Sequence, residues 1–106
     1  MMRWVIEYDK RVAKDVSKLD ASVKTQIAKM IRRVSKNPLP QSEGGYGKPL
    51  GNNQSSKLAG CLKIKLKSSG LRVVYKLVRD ETIMKIIIIS IRDDDEIYKE
   101  ADKRLR

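Results

Sequence analysis

The chain contains no histidine. That removes the commonest general base, the commonest metal ligand, and every Ser-His-Asp or Cys-His catalytic arrangement. Cysteine occurs once, as Cys61. No intrachain disulfide can form, so a stapled extracellular framework is excluded and a reducing compartment fits. One cysteine without histidine also argues against a structural zinc site. Long apolar runs are missing. The longest, Ile86 to Ile89, is far too short to span a bilayer, and no N-terminal apolar run resembles a signal peptide. Acid is scarce relative to base: 13 Asp and Glu stand against 24 Lys and Arg, a formal net charge of +11 on 106 residues. Such an excess on so small a body points to a polyanionic partner: nucleic acid, ribosome, acidic protein or anionic membrane.

What is present suits a small globular domain. Hydrophobic residues make up 41% and charged residues 35%, which argues against wholesale disorder and for a heavily charged surface. The length allows one modest core, so residues 1–106 are expected to form a single domain. No internal repeat is visible.

Arg3 to Tyr8 alternates around Trp4, Ile6 and Tyr8, which predicts a strand. Asp9 stands where an N-cap belongs, ahead of an amphipathic helix from Lys10 to Leu19 built on Val12, Val16 and Leu19. Asp20 or Ser22 can cap a second helix running to about Lys36, with Val23, Ile27, Met30, Ile31 and Val34 as its apolar stripe. Asn37-Pro38 ends it, because the residue before proline is pushed out of the helical region. The short joint makes the two helices a hairpin. Asn37 to Gly60 holds all three prolines and five of the six glycines and reads as a loop anchored by Leu50 and Leu58. From Cys61 the period becomes two: Leu62, Ile64 and Leu66 lie on one face, Lys63, Lys65 and Lys67 on the other. Ser68-Ser69-Gly70 is turn chemistry, and Leu71 to Val78 completes a hairpin. Thr82 to Ile91 is almost wholly apolar and β-branched, which predicts a central strand buried on both faces. Asp93 to Asp95 can start a last short helix, through Tyr98 to about Lys103, with carboxylates at its positive end. The sum is an α+β domain, β-α-α-β-β-β-α, with a helical hairpin on one face of a mostly antiparallel sheet.

Chemistry has one natural seat. Lys63 and Lys65, two apart on a strand, send their ammonium groups from one face. Arg72 reaches that face in one of its possible registers, Arg92 ends the central strand, and Tyr98 lies one to two helical turns beyond. Two lysines, two arginines and a tyrosine suit a phosphodiester. Arginine offers a fork to phosphate oxygens. A lysine among cations is expected to have a lowered pKa and so to serve as a base. Tyrosine stacks on a base or donates to phosphate. The same residues also fit a plainer picture. Alternating lysines are what a solvated sheet face looks like, Arg92 has Asp93, Asp94 and Glu96 to pair with, and Tyr98 can be core if Ile97 is exposed. Cys61 is a small apolar residue rather than a nucleophile. Lys24, Lys29, Arg32, Arg33 and Lys36 form either a solvent face or an RNA or ribosome footprint.

The run Cys61-Leu62-Lys63-Ile64-Lys65-Leu66-Lys67-Ser68-Ser69-Gly70-Leu71-Arg72-Val73-Val74-Tyr75 resembles the central hairpin of the RelE toxins, within the RelE/ParE superfamily of toxin–antitoxin systems. The opening strand, acidic residue and helices, and the tail Ile89-Ser90-Ile91-Arg92 with Glu96-Ile97-Tyr98, are similar to that family as well. The resemblance implies a cytoplasmic mRNA interferase acting in the ribosomal A site, where a ribose 2′-hydroxyl attacks the adjacent phosphate and leaves a cyclic phosphate. It implies a cognate antitoxin, ribosome and mRNA as partners, with no membrane and no small-molecule cofactor or metal. By the same resemblance Lys63 and Lys65 transfer protons and stabilise charge, and Arg72 holds the scissile phosphate. Arg92 stabilises the leaving group or phosphate, and Tyr98 stacks on the message. Lys67, on the strand face of Lys63 and Lys65, is a separate candidate for RNA contact. Two departures stand out. Asp93-Asp94-Asp95 is acidic where a basic stretch suits RNA, and either repels the message or only caps the helix. The Pro/Gly loop is longer than a compact member needs. Two other readings compete: a ParE-like toxin that inhibits DNA gyrase by binding, and a non-catalytic basic RNA- or ribosome-binding module.

Overall fold

The computed structural model describes residues 4–50 and 58–105. In chain order the elements are β1 (Val5–Tyr8), α1 (Val12–Ser17), α2 (Ala21–Val34), β2 (Lys48–Pro49), β3 (Cys61–Leu66), β4 (Leu71–Val78), β5 (Ile83–Ser90) and α3 (Asp94–Arg104). The sheet order is β1-β5-β4-β3-β2, with β1 parallel to β5 and every other pair antiparallel. This is the expected α+β class with its mostly antiparallel sheet.

The helical hairpin covers one face. Val12 of α1 and Ile27, Ile31 and Val34 of α2 are buried against Leu62, Ile64, Leu71, Val73, Tyr75, Met84, Ile86 and Ile89. Val16, Leu19, Val23 and Met30 pack around them, so the stripe read from helical spacing is the buried stripe. On the opposite face α3 lays Ile97 and Ala101 on Cys61, Val74, Ile87 and Ile88. Leu50 and Leu58 are buried in that same cluster, as their anchoring role requires. Ile97 is fully buried and Tyr98 only partly, so the tyrosine is not a core residue.

Several boundaries differ from expectation. Asp9 is not the N-cap of α1; Arg11 holds that position and the helix starts at Val12 and ends at Ser17, shorter than Lys10–Leu19. The Asp9 carboxylate folds forward instead. It accepts the Arg11 backbone N–H at 2.9 Å and the Arg11 guanidinium at 2.8 Å, a local turn that competes with helix initiation. Hydrogen bonding to Arg11, opposed by burial, holds the Asp9 carboxyl at about 2. Asp20 does occupy the N-cap position of α2, without a side-chain capping bond, and the helix stops at Val34 rather than Lys36. Among the described residues, the segment read as loop contains a short 3-10 turn at Gln41–Glu43 and the two-residue strand β2. Gly47 adjoins β2 because nothing larger fits: a Cβ there would overlap the Tyr75 hydroxyl and crowd Leu62. That hydroxyl donates to Pro38 O at 2.8 Å and ties the loop to the core.

The β3–β4 hairpin turns through Gly70 at φ +73°. Its register sets Lys65 opposite Arg72 and Lys63 opposite Val74. Between β4 and β5 the register slips by one residue: Val74 pairs with Ile88 and Tyr75 with Ile86, which leaves Ile87 over as a bulge. The slip changes the phase of β5. Met84 and Ile86 face the helical hairpin, whereas Ile88 faces α3, and Ser90 falls in one row with Arg72 and Lys65.

Candidate active site

The row Lys65-Arg72-Ser90 and the neighbouring Lys63 lie on the sheet face that carries α3. Lys63 comes from the middle of β3, where its partners Leu62 and Ile64 are held in the core and force it to the other side. Its ammonium donates to the Tyr98 hydroxyl at 2.9 Å and to Asp94 Oδ2 at 3.1 Å. It also lies 5.6 Å from the centre of the Tyr98 ring. Arg72 Nε lies 2.9 Å from Asp94 Oδ1, and its Nη1 donates to the backbone carbonyl of Arg92. Lys63, Arg72 and Tyr98 are therefore one connected group, with Asp94 between the two cations.

α3 positions its two members by helical spacing. Asp93 caps the helix, its carboxylate accepting the Glu96 N–H at 2.9 Å. Asp94 and Tyr98, four apart, then share the face that Ile97 and Ala101 press toward the sheet. Of the two readings of Asp93-Asp94-Asp95, capping is right for Asp93. Asp94 does something else.

Arg92 stands apart. Its side chain is half exposed and reaches Glu96 Oε2 only at 3.8 Å, so the acidic neighbours hold it loosely. Lys65 and Lys67 are exposed, Lys67 in the turn after β3. Both line a cleft of about 530 Å³ between α2 and β3, together with Lys29, Arg33 and Lys48. The basic face of α2 thus opens onto the same edge as the strand lysines.

Burial acts to lower the Lys63 pKa, but its bonds to Tyr98 and Asp94 outweigh that and hold the ammonium above the ordinary lysine value. The direction is opposite to the lowered value expected of a lysine among cations. The expectation missed both partners: the Tyr98 hydroxyl and the Asp94 carboxylate, in direct contact, decide against cations further away. Burial pushes the Cys61 thiol up, as for an inert core residue. Among the described residues no group of three acidic or cysteine side chains could hold a metal ion.

Sequence reading missed Asp94. The available signal was its spacing from Tyr98, one helical turn upstream on the same face.

No family model matches the chain. It is 31% identical to the mRNA interferase toxin RelE of Escherichia coli K12 over 104 residues, covering 98% of this chain and 99% of the relative. A free-state structure of a mutant E. coli toxin RelE superposes with a TM-score of 0.75 at 28% identity, covering 99% of this chain and all of that one. A mutant E. coli RelE bound to a peptide of the antitoxin RelB superposes with a TM-score of 0.67 at 28% identity, covering 94% of this chain and 95% of that one. Identity on that scale along the full length, with the same sheet and helices beneath it, means that the chain belongs to the RelE family of toxins.

Proposed function

We propose that this protein is the toxin of a toxin–antitoxin pair and an mRNA interferase, cleaving mRNA in the ribosomal A site, in the cytoplasm, with residues 1–106 acting as one domain. The observation that carries the reading is the convergence of Lys63, Arg72 and Tyr98 into one bonded group beside Lys65, with Arg92 at its rim. The relative named above as an mRNA interferase supports it, and the neighbour solved with an antitoxin peptide supports the antitoxin as partner. No helix among the described residues is long and apolar enough to cross a membrane.

In the proposed reaction the ribose 2′-hydroxyl gives up its proton to solvent as its oxygen attacks the adjacent phosphorus. The 5′-oxygen of the next nucleotide leaves with a proton taken from the Lys63 or Lys65 ammonium, which solvent restores, and a 2′,3′-cyclic phosphate remains. Arg72 grips non-bridging oxygens of the phosphate, and Lys63 and Lys65 stabilise the charge of the phosphorane. Arg92, loosely held, swings onto the phosphate or leaving oxygen. Tyr98 stacks on the message and orients it, and Lys67 contacts the backbone beyond. Without histidine the intrinsic acid–base power is small. A ribosome that fixes the message in line supplies the orientation, which alone is worth a large part of the barrier. The basic cleft beside α2 supplies a footprint for ribosomal RNA.

The test is to map mRNA ends in a purified translation system, with and without ribosomes, for the wild-type chain and Arg92→Ala. Cleavage at the A-site codon, only with ribosomes and only by wild type, is expected. Absence of cleavage in every lane would refute the reading and turn attention to a supercoiling assay for gyrase inhibition.

A further inference from the structure

We infer that Asp94 is an internal competitor of the scissile phosphate, a positioning residue that sets the affinity of the site for RNA. The inference rests on the site assignment proposed above. The two oxygens of Asp94 lie where two non-bridging phosphate oxygens would: Oδ2 at 3.1 Å from Lys63 Nζ and Oδ1 at 2.9 Å from Arg72 Nε. Both cations are largely shielded, their side chains 24% and 20% exposed, while Asp94 is 41% exposed. Asp94 as a whole meets solvent, although its Oδ1 is enclosed, and Lys63 is also approached from the cleft beside α2.

The pairing is also imperfect. Asp94 Oδ1 is near Arg72 Nε but not aligned for a hydrogen bond, and it has no other partner. Its attraction to Arg72 is that of charge without directed bonding, which a phosphate oxygen can replace at little loss. Asp94 sits in the first turn of α3, directly after the N-cap, where its carboxylate is favoured whether or not the cations are in contact. Release of Lys63 and Arg72 therefore does not require the helix to move. In the absence of RNA the carboxylate keeps the two cations ordered and neutralised. When RNA enters, the carboxylate is exchanged for phosphate, and part of the RNA's binding energy goes into that exchange.

Three variants test this: Asp94→Asn, Asp95→Asn and Arg72→Ala. Asp95 is the matched control, an exposed neighbour whose change adds the same charge without touching Lys63 or Arg72. The probe is a short RNA with a single 2′-deoxy nucleotide at the cleaved position, its binding read by fluorescence anisotropy at fixed ionic strength without ribosomes. The expected result is at least fivefold tighter binding by Asp94→Asn, less than twofold change by Asp95→Asn, and weaker binding by Arg72→Ala. Asp94→Glu is expected to bind as the wild type does. In ribosomal cleavage assays the Asp94→Asn effect is expected in KM. Equal tightening by Asp94→Asn and Asp95→Asn would reduce the effect to net charge and overturn the inference. Weaker binding or a lower kcat in a folded Asp94→Asn would overturn it too, by making Asp94 part of the productive site. If Arg72→Ala leaves binding unchanged, the site assignment fails first, which separates that failure from failure of the competitor role.

Discussion

Where β1 stops, the paired side chains of Asp15 and Arg104 take over the exposed edge of β5. The last bond of the parallel ladder runs from the Asp9 N–H to Ile86 O at 2.8 Å. Beyond it the Ile89 N–H donates to Asp15 Oδ2 at 3.1 Å, and Ile87 O, at the bulge, accepts from Arg104 Nη1 at 2.9 Å. The two side chains bind each other through two bonds of 2.7 and 2.9 Å, and Arg104 also bonds Glu100. Backbone groups that a longer strand would satisfy are satisfied by side chains from α1 and α3, so the end of α3 is tied to the centre of the sheet.

Arg104→Ala is expected to cost about 3–5 kcal/mol, because it leaves the largely shielded Asp15 carboxylate without its cation, with only the Ile89 N–H for a partner, and strips the Ile87 carbonyl of its donor. Arg104→Lys should recover little, since one ammonium cannot reproduce the fork. Thermal denaturation gives the magnitude. Hydrogen exchange should quicken first in α3; uniform quickening throughout the molecule would argue against a local clamp.

Acid should weaken the fold through Asp9. Its carboxyl titrates near 3.8 when free and near 2 when folded, so the folded state favours the ionised form. The stabilisation is complete above about pH 4 and is lost as pH falls toward 2. The size is on the order of 1 kcal/mol, given the solvent around the half-exposed Arg11. Asp9→Asn should be less stable than wild type at neutral pH, and the gap should narrow steadily between pH 4 and pH 2. A gap independent of pH would mean that packing, not charge, is what Asp9 contributes.

The two core faces can be probed separately. Leu62→Ala on the helical-hairpin face and Ile88→Ala on the α3 face are each expected to destabilise by about 2–5 kcal/mol, both side chains being nearly inaccessible. Urea midpoints that stay put in either variant would show that face to be misassigned.

Tyr98 has two separable properties, its ring and its hydroxyl. If the ring stacks on the message, Tyr98→Ala should lower cleavage roughly 5- to 150-fold, the worth of one stacked base. Tyr98→Phe should lose much less, since only the hydrogen bond from Lys63 goes. Equal losses in end-mapping assays would shift the role from the ring to the hydroxyl.

Much of this architecture is legible in the sequence, for local reasons. Leu62 and Ile64 against Lys63 and Lys65 is a period that only a half-buried strand satisfies, and the α2 stripe is likewise set by helical spacing. The parts that escaped are tertiary. β2 is two residues, one a proline, and carries no periodic signal. Asp9 fails as a cap because a nearby arginine offers it a better bond. The side on which Arg72 emerges depends on hairpin register, and Asp94 meets Lys63 only because α3 lies across β3, which no spacing within either element states.

The isoleucine run of β5 conceals a choice. Four identical side chains look the same in either phase, yet the spare residue at Ile87 decides which side of the sheet Ser90, and the chain leading to Arg92, will join. Exchanging one β-branched residue for another within Ile86 to Ile89 preserves that decision. Losing the bulge does not. The same four residues laid in an unbroken ladder would keep all of their hydrophobic content while turning Ile88 and Ser90 to the face of the helical hairpin. For this fold, the register of a monotonous segment is information that its composition does not contain.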